Sequence, residues 1–261
     1  MGNFNFWGID GIMEFALLIM GCFFAGFVDA VAGGGGLITV PLMLNLGLAT
    51  KVALGTNKII GIMASFTSSI RYASSKKMVW RIALPATFAA FLGGACGALI
   101  ASQLSNEFLK PVVIFLLLFV ALYSLLQKNL GKQQIEAKLK HTAWPFVVGF
   151  IIGGYDGFFG PGTGTFMMIV FVSLFGLSLL NASASARIVN FASNLGALLL
   201  FSFSGYVDFK VAIWGALASA CGALLGASLS IKRGHAFIRP VYLAVVWFML
   251  IKLVLQFLGW I

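Results

Sequence analysis

Apolar residues occur in long runs along the whole chain, and polar residues are concentrated in short stretches between them. Most of the runs approach the roughly 20 residues with which a helix crosses a membrane. They do not have the short alternating pattern of an outer-membrane β-strand. We therefore predict an all-α polytopic membrane protein. The predicted apolar segments are residues 12–31, 36–48, 53–72, 82–103, 109–127, 144–158, 163–179, 184–203, 209–230 and 237–258.

Two of these segments are too short to cross about 30 Å of hydrocarbon as single helices. They are residues 36–48 and 144–158, and both border glycine-rich stretches. Glycine interrupts a helix readily because it adopts backbone conformations that other residues avoid. We therefore expect a broken helix or a re-entrant pair of half-helices near the start of each half of the chain.

The composition supports a membrane location. Of the 261 residues, 61% are hydrophobic and only 9% are charged, with a net charge of +10. A soluble domain has about 25% charged residues, and a disordered chain has low hydrophobicity. The basic residues lie mostly in the short loops, so we read them as topology signals in contact with a lipid bilayer and expect no nucleic-acid partner.

The two halves of the chain are related in sequence. Asp29 and Asp156 are 127 residues apart, and Lys58 and Arg187 are 129 apart. Phe108-Leu109-Lys110-Pro111 likewise resembles the stretch that begins 129 residues later, at Phe237. Internal repeats of this kind are typical of secondary transporters. The predicted organisation is a first transmembrane repeat at 1–127, a basic cytoplasmic loop at 128–143 and a second transmembrane repeat at 144–261.

The loop charges predict that the repeats have opposite orientations. The loop at 74–81 has three basic residues, and the central loop at 128–143 has four. In the second half, Lys232 and Arg233 follow the fourth segment, whereas residues 204–210 have one lysine beside one aspartate. Basic loops favour the cytoplasmic side, so equivalent loops are expected on opposite faces. This arrangement gives inverted repeats and places both termini outside.

Two glycine clusters are the first candidate site. They precede apolar segments at equivalent places in the two repeats, where a helix N-terminus offers free N–H groups and the positive end of its dipole. If the repeats are inverted, the two N-termini can face each other and bind an anion. The alternative is that the glycines only permit tight packing of helices. The clusters consist of Gly33, Gly34, Gly35 and Gly36 in the first half, and of Gly160, Gly162 and Thr163 with their neighbours in the second.

Asp29 and Asp156 lie a few residues before the two glycine clusters, within apolar sequence. An ionised carboxylate in lipid costs several kcal/mol, so such residues usually face a cavity or a partner. One interpretation is a proton-coupling or ion site. The other is a carboxylate that caps free N–H groups at a helix break.

Lys58 and Arg187 are the third candidate feature. Arg187, Asn190 and Asn194 share one helical face, and Asn57 adjoins Lys58. Because arginine and asparagine donate several hydrogen bonds, a stripe of this kind suits an oxyanion. The alternative is that the two cations extend to the membrane interface while the amide side chains bind neighbouring helices.

Other features favour structural roles. Gly93-x-x-x-Gly97 and Gly222-x-x-x-Gly226 have the spacing of close helix contacts, and they allow a homodimer without requiring one. The three cysteines lie in apolar runs without a CxxC pair, and the two histidines lack metal-ligand spacing. We therefore expect no metal and no cofactor.

The candidate residues lie in stretches that resemble the TauE/SafE family of sulfite and organosulfonate exporters. The resemblance covers nearly the whole chain. It implies an inner-membrane transporter of about eight spans, which the ten segments match if the glycine-bounded pieces are half-helices. Close members of the family have lysine where this chain has Arg187, so the positive charge is kept. The matching motifs are Asp29-Ala30-Val31-Ala32, the following glycines with Leu37-Ile38-Thr39-Val40-Pro41, Gly55-Thr56-Asn57-Lys58, Tyr155-Asp156-Gly157-Phe158-Phe159-Gly160-Pro161-Gly162 and Ala186-Arg187-Ile188-Val189-Asn190.

These observations together predict a secondary transporter, not an enzyme, for a small anion such as sulfite or an organosulfonate. Its mechanism would be alternating access, with proton coupling as an option. The alternatives are a passive anion channel, a non-transporting membrane assembly protein and an intramembrane aspartyl enzyme. The last lacks the expected Gly-x-Gly-Asp motif, because Asp29 follows Gly26-Phe27-Val28.

Overall fold

The structure is a computed structural model that describes residues 5–6, 9–109, 111–112, 115, 143–234, 237, 240–241 and 244. The predicted segments 109–127 and 237–258 and the predicted loop 128–143 therefore lie largely outside the described residues. The described part is helical apart from a two-residue antiparallel hairpin at its start, formed by β1 (Asn5–Phe6) and β2 (Ile9–Asp10). Eight helices have both ends described: α1 (Ile12–Ala32), α2 (Gly36–Asn45), α3 (Thr50–Ser74), α4 (Trp80–Gln103), α5 (Trp144–Phe158), α6 (Thr163–Phe175), α7 (Leu179–Phe203) and α8 (Phe209–Arg233).

The helix bounds confirm the two predicted breaks and change some predicted ends. The break between α1 and α2 covers residues 33–35, and the break between α5 and α6 covers 159–162. Helix α6 ends at Phe175 rather than 179, because Gly176 has a left-handed backbone (φ 69°) that terminates it. Helix α7 starts five residues before the predicted 184, because Ser178 Oγ accepts a hydrogen bond from the Asn181 N–H and caps the helix.

Four of the described helices are long and apolar enough to cross a membrane: α1, α4, α7 and α8. Helices α2 and α6 are apolar but shorter, with 10 and 13 residues. The side chain of Leu42 lies against Gly21, and that of Asp29 lies against Gly35, so α2 folds back along α1. The break therefore joins α1 and α2 in a helical hairpin.

Glycines bring two pairs of parallel helices into backbone contact. Gly222 and Gly226 of α8 lie against Phe23 and Phe27 of α1. In the same way, Gly93 and Gly97 of α4 lie against residues 150–158 of α5. Both Gly-x-x-x-Gly spacings are thus occupied within the chain, so a homodimer, which stays a prediction, would need another surface.

Helices α3 and α7, which are equivalent in the two repeats, cross at the centre of the bundle in opposite directions. Gly61 lies beside Asn194, and Gly55 lies beside Phe201 and Tyr206. Since residue numbers rise along α3 as they fall along α7, the two helices are antiparallel. Ten of the fourteen candidate site residues are on these two helices or on the two breaks, and the other four are on the helices next to the breaks.

The two ends of the bundle differ in charge. At one end, which we call the basic face, Arg71 Nε donates to Ser228 Oγ (3.0 Å) and the Val79 N–H donates to Ser185 Oγ (3.0 Å). These contacts place the loop with Lys76 and Lys77 beside Lys232 and Arg233. At the opposite end, the acidic face, Lys51 Nζ lies 3.4 Å from Tyr206 Oη. The acidic residues Glu14, Glu107 and Asp208 are at that end.

The glycine contacts give a prediction for stability. A methyl group on Gly157 would overlap the backbone of Gly94, whereas one on Gly154 would meet only the Gly93 carbonyl oxygen, at 3.7 Å. We expect Gly157→Ala to lower the free energy of unfolding by about 1–3 kcal/mol through overpacking. Gly154→Ala, on the same helix, should be neutral or stabilising because alanine favours the helix. Thermal unfolding in detergent measures both, and equal midpoints for the two variants would contradict this account of the α4–α5 contact.

Candidate functional site

The two glycine-rich breaks meet near the middle of the bundle. Gly33 ends α1 with a left-handed backbone (φ 85°), and its Cα lies against the backbone of Gly164, where a side chain would not fit. The Thr165 N–H donates to the Gly33 carbonyl (3.2 Å), and Thr165 Oγ1 donates to the Ala32 carbonyl (2.8 Å). The end of α1 is therefore joined directly to the start of α6.

Two buried ion pairs connect the halves of the chain in a crossed arrangement. Lys58 Nζ of the first half lies 3.4 Å from Asp156 Oδ1 of the second. Arg187 Nη1 of the second half lies 3.1 Å from Asp29 Oδ2 of the first. Each cation also donates to the backbone carbonyl of its aspartate partner. The side chains of Lys58 and Arg187 are fully buried, so neither extends to the membrane interface.

Each carboxylate has a further hydrogen-bond donor. Ser193 Oγ donates to Asp156 Oδ2 at 2.6 Å, and the Gly35 N–H, just before α2, donates to Asp29 Oδ1 at 3.3 Å. Asp29 thus accepts a hydrogen bond from the backbone just before α2 and is paired with a cation as well. The four charges of the two pairs sum to zero, which lowers the cost of burying them.

A narrow polar cavity lies between the breaks and the two crossing helices. The space between its walls is about 370 Å³, a volume that includes the open region at its entrance. Nine of the residues predicted from the sequence line it: Asp29, Gly33, Gly35, Gly36, Asn57, Asp156, Gly160, Asn190 and Asn194. Other lining residues include Thr39, Gly164 and Ser219. The structure therefore brings both glycine clusters, both aspartates and the asparagines to one space.

The other five predicted residues do not line the cavity. Gly34 is buried within the first break. Gly162 precedes α6, and Thr163 Oγ1 donates to the Gly160 carbonyl at 2.6 Å. Lys58 Nζ and the Arg187 guanidinium lie behind the two glycines Gly160 and Gly164: methyl groups on these glycines would lie 2.7 Å from Lys58 Nζ and 2.5 Å from Arg187 Nη2.

Several hydrogen-bonding groups in the cavity wall or next to it have no partner among the described residues. Arg187 Nη2 is one, and Asn190 Oδ1 is another. The N–H groups of Gly36 and Gly164 likewise donate to no described acceptor, although each belongs to the first turn of a helix. Buried polar groups are rarely left unpaired without a reason. Three unpaired donors around one cavity favour a ligand that accepts hydrogen bonds.

Several residues of the site were not predicted. Thr39 Oγ1 donates to Asn57 Oδ1, Ser193 holds Asp156, and Tyr72 Oη donates to the Ala30 carbonyl at 3.0 Å. Ser193 is one turn beyond Asn190, so the helical spacing of the polar stripe pointed to it. Thr39 and Tyr72 had no such signal, because single hydroxyls in apolar helices are common. Within the described ranges, no group of three His, Cys, Asp or Glu residues is placed to hold a metal ion.

Comparison with known proteins supports the resemblance seen in the sequence. The family model described as sulfite exporter TauE/SafE matches residues 18–253. ORF9 of Sinorhizobium sp., named a probable membrane transporter protein, is 37% identical over 230 residues, which cover 88% of each chain. A probable membrane transporter protein of Haemophilus influenzae is 36% identical over 250 residues, or 96% of this chain and 98% of its own.

A third relative is the probable membrane transporter protein YfcA of Escherichia coli K12, which is 32% identical over 235 residues and covers 90% of this chain and 86% of its own. No solved structure is significantly similar to the chain. The relatives and the four long apolar helices together identify a multi-pass membrane protein. Since the family model extends over most of the sequence, the chain belongs to the sulfite exporter TauE/SafE family of membrane transporters.

Proposed function

We propose that the protein is a secondary transporter that exports a small sulfur-containing oxyanion, such as sulfite or an organosulfonate. The observation on which this depends is the cavity between the two breaks, with unpaired donors at Arg187, Gly36 and Gly164. The description of the family points to sulfite. The cavity itself supports only the broader class of small oxyanions.

The chemistry of the donors is the reason for choosing an oxyanion. A guanidinium group presents parallel N–H bonds that match two oxygens of a carboxylate, phosphate or sulfonate. The N-termini of α2 and α6 add two N–H groups and the positive ends of two helix dipoles. The field of Lys58, behind Gly160, adds to the positive potential at the cavity. Asn57, Asn190 and Asn194 would supply further hydrogen bonds.

We also propose that the two repeats are inverted and move against each other. The antiparallel course of α3 and α7 supports inversion, since these helices are equivalent in sequence. Both ion pairs join one repeat to the other. A rocking motion would therefore change both pairs at once, and it would open the cavity to each face in turn.

The charges at the two ends of the bundle support an orientation in the inner membrane. We propose that the basic face is cytoplasmic, because basic residues near the ends of membrane helices are retained on that side. Helix α1 begins at the opposite, acidic face, so the N-terminus would be outside. Variants with a single cysteine in one face or the other would test this assignment. In intact cells, an impermeant thiol reagent should label a cysteine in the acidic face and not one in the basic face.

Binding and flux of purified protein test the proposed substrate class. We expect sulfite or an organosulfonate to raise the unfolding temperature in detergent, since a ligand at about 100 times its Kd adds about 2.7 kcal/mol of stability. Sulfate and phosphate serve as competitors of different charge. The same anion should then cross the membrane of proteoliposomes that contain the protein and not that of empty liposomes.

Three outcomes would contradict parts of this proposal. If none of the anions binds, the sulfur-oxyanion assignment is wrong, and a non-transporting role becomes the better interpretation. If sulfite crosses but shows no saturation and no exchange against internal sulfite, the protein is a passive channel. If only phosphate or sulfate binds and crosses, the transport mechanism stands and the substrate class is wrong.

A further inference from the structure

We propose that the site takes up its anion together with one proton, and that the two bind at separate groups of one ion pair. The anion binds to Arg187, and the proton binds to the carboxylate of Asp29. The second ion pair, Lys58 with Asp156, stays intact during this step. The inference deepens the proposed function and depends on it, because it assumes that an oxyanion enters the cavity.

The charge balance of the buried site is the first reason. Two cations and two carboxylates give a net charge of zero, and all four side chains are at least nine-tenths buried. An added monoanion would leave one uncompensated negative charge in a region of low dielectric, which is strongly unfavourable. One proton taken up at the same time restores neutrality. A dianion would need two protons, so the site should favour monoanions such as hydrogensulfite or a sulfonate.

The position of the unpaired donor selects Arg187 over Lys58. Arg187 Nη1 is bound to Asp29, while Nη2 has no acceptor among the described residues and lies next to Gly164, which lines the cavity. The acceptors of Lys58 Nζ are both on Asp156. An anion that reaches the guanidinium from the cavity gains the Nη2 hydrogen bond without breaking one to a described group, and it then competes with Asp29 for Nη1.

The surroundings of the two carboxylates differ in a way that favours Asp29 as the proton acceptor. The carbonyl of Ala30, next to Asp29, accepts hydrogen bonds from Tyr72 Oη (3.0 Å) and Ser183 Oγ (3.5 Å). At the repeat offset of 129, the equivalents of Tyr72 and Ser183 are Phe201 and Leu54. Two hydroxyl groups thus lie beside the backbone next to Asp29, where the other half has apolar side chains. The hydroxyl near Asp156, that of Ser193, is instead bound to the carboxylate itself.

The charged and titratable groups that face Asp29 come from three of the helices packed around it. They are Arg187 of α7, Tyr72 of α3 and, at longer range, Asp156 of α5. The remaining described contact of the carboxylate is the Gly35 N–H. In the proposed step, a proton adds to a carboxylate oxygen of Asp29, its ion pair with Arg187 ends, and the anion takes its place on the guanidinium. Charge is balanced before and after the step.

Calorimetry with methanesulfonate tests this step, because that anion does not titrate near neutral pH. Binding to the full-length protein is measured in two buffers with different ionisation enthalpies, which gives the number of protons taken up. We expect about one proton per anion. By linkage, the affinity should then rise about tenfold for each unit by which the pH falls. The rate of transport into proteoliposomes should change less than about twofold when a membrane potential is imposed, since the loaded site is neutral.

Two variants separate the roles of the two pairs. Asp29→Asn removes the proposed proton acceptor, so binding should take up no proton and lose its dependence on pH. The double variant Lys58→Met/Asp156→Asn removes the other pair and keeps the site neutral. It should still take up one proton, with affinity reduced no more than about tenfold because the Arg187 contact remains.

The inference is wrong if wild-type protein binds methanesulfonate without proton uptake, or if Asp29→Asn keeps the full pH dependence. It is also wrong if only the double variant loses proton uptake. In those cases a measured flux of sulfite would leave the proposed function intact. If the wild-type protein binds and transports no oxyanion, the proposed function itself fails, and the inference fails with it.

Discussion

Replacement of Arg187 by glutamine should abolish transport while the protein still inserts into the membrane. The guanidinium is fully buried and forms the ion pair with Asp29, and its second terminal nitrogen is the one side-chain cation donor at the cavity without a described partner. A hydrogen bond to a charged group contributes about 1.5–3 kcal/mol, and the substitution also removes the positive charge. We expect binding to weaken at least about a hundredfold, with flux at the level of empty liposomes.

Two further variants distinguish loss of the site from loss of the fold. Arg187→Lys keeps the charge and the ion pair but lacks the second donor, so it should bind the anion about tenfold more weakly and unfold near the wild-type temperature. Arg71→Gln is the matched control, because Arg71 bonds to Ser228 and Ser75 at the basic face, away from the cavity. Normal flux through the Arg187→Gln variant would show that the anion site has been assigned wrongly.

The sequence indicated which charged residues lie close together in the structure. The repeat offset paired Lys58 with Arg187 and Asp29 with Asp156, and all four are buried within one region of the structure. What the sequence did not reveal was the crossed pairing of these charges. Residues 98 and 158 positions apart are paired, and such long-range contacts depend on how the two halves pack. The sequence left open whether the two cations have acidic partners, and the structure places a carboxylate on each.

Helix positions were predictable where the length of an apolar run determines them. Apolar length located α1, α4 and α8 closely, and glycine clusters located both breaks. The start of α7 was missed because residues 179–183 include the polar residues Asn181 and Ser183, and Ser183 is buried here against other helices rather than exposed in a loop. Burial of Ser183 and its bond to the Val31 carbonyl (3.0 Å) are tertiary effects that a one-dimensional hydrophobic pattern does not report.

The two ion pairs are equivalent in sequence but differ in their surroundings, and that difference suggests different roles. Asp156 is bound by Lys58 and by Ser193 at 2.6 Å, and its side chain is 2% exposed. The carboxylate of Asp29 has one longer backbone contact besides Arg187 and is 9% exposed. A pair whose carboxylate also accepts a short hydrogen bond from a serine, and that has no described free donor, is suited to hold the halves together. A pair with a free donor is suited to exchange its partner.

Removal of the Lys58 charge should therefore lower the stability of the protein more than it weakens anion binding. In Lys58→Met the carboxylate of Asp156 stays buried without its cation, and breaking one partner of a buried pair costs about 3–5 kcal/mol. We expect the free energy of unfolding, measured by denaturant titration in mixed micelles, to fall by that amount. Lys51→Met is the control, because Lys51 bonds to Ser102 and Tyr206 at the acidic face and has no buried carboxylate partner among the described residues.

The double variant Lys58→Met/Asp156→Asn tests whether the loss comes from the stranded charge. Replacing both members of a buried ion pair by neutral groups of similar size is often neutral for stability, because the desolvation cost of two charges disappears together with their attraction. The amide that replaces the carboxylate of Asp156 can still accept the hydrogen bond from Ser193. We therefore expect the double variant to recover at least half of the stability lost in Lys58→Met. Additive losses would instead mean that Lys58 and Asp156 stabilise the bundle through separate contacts, and that the pair does not hold the two repeats together.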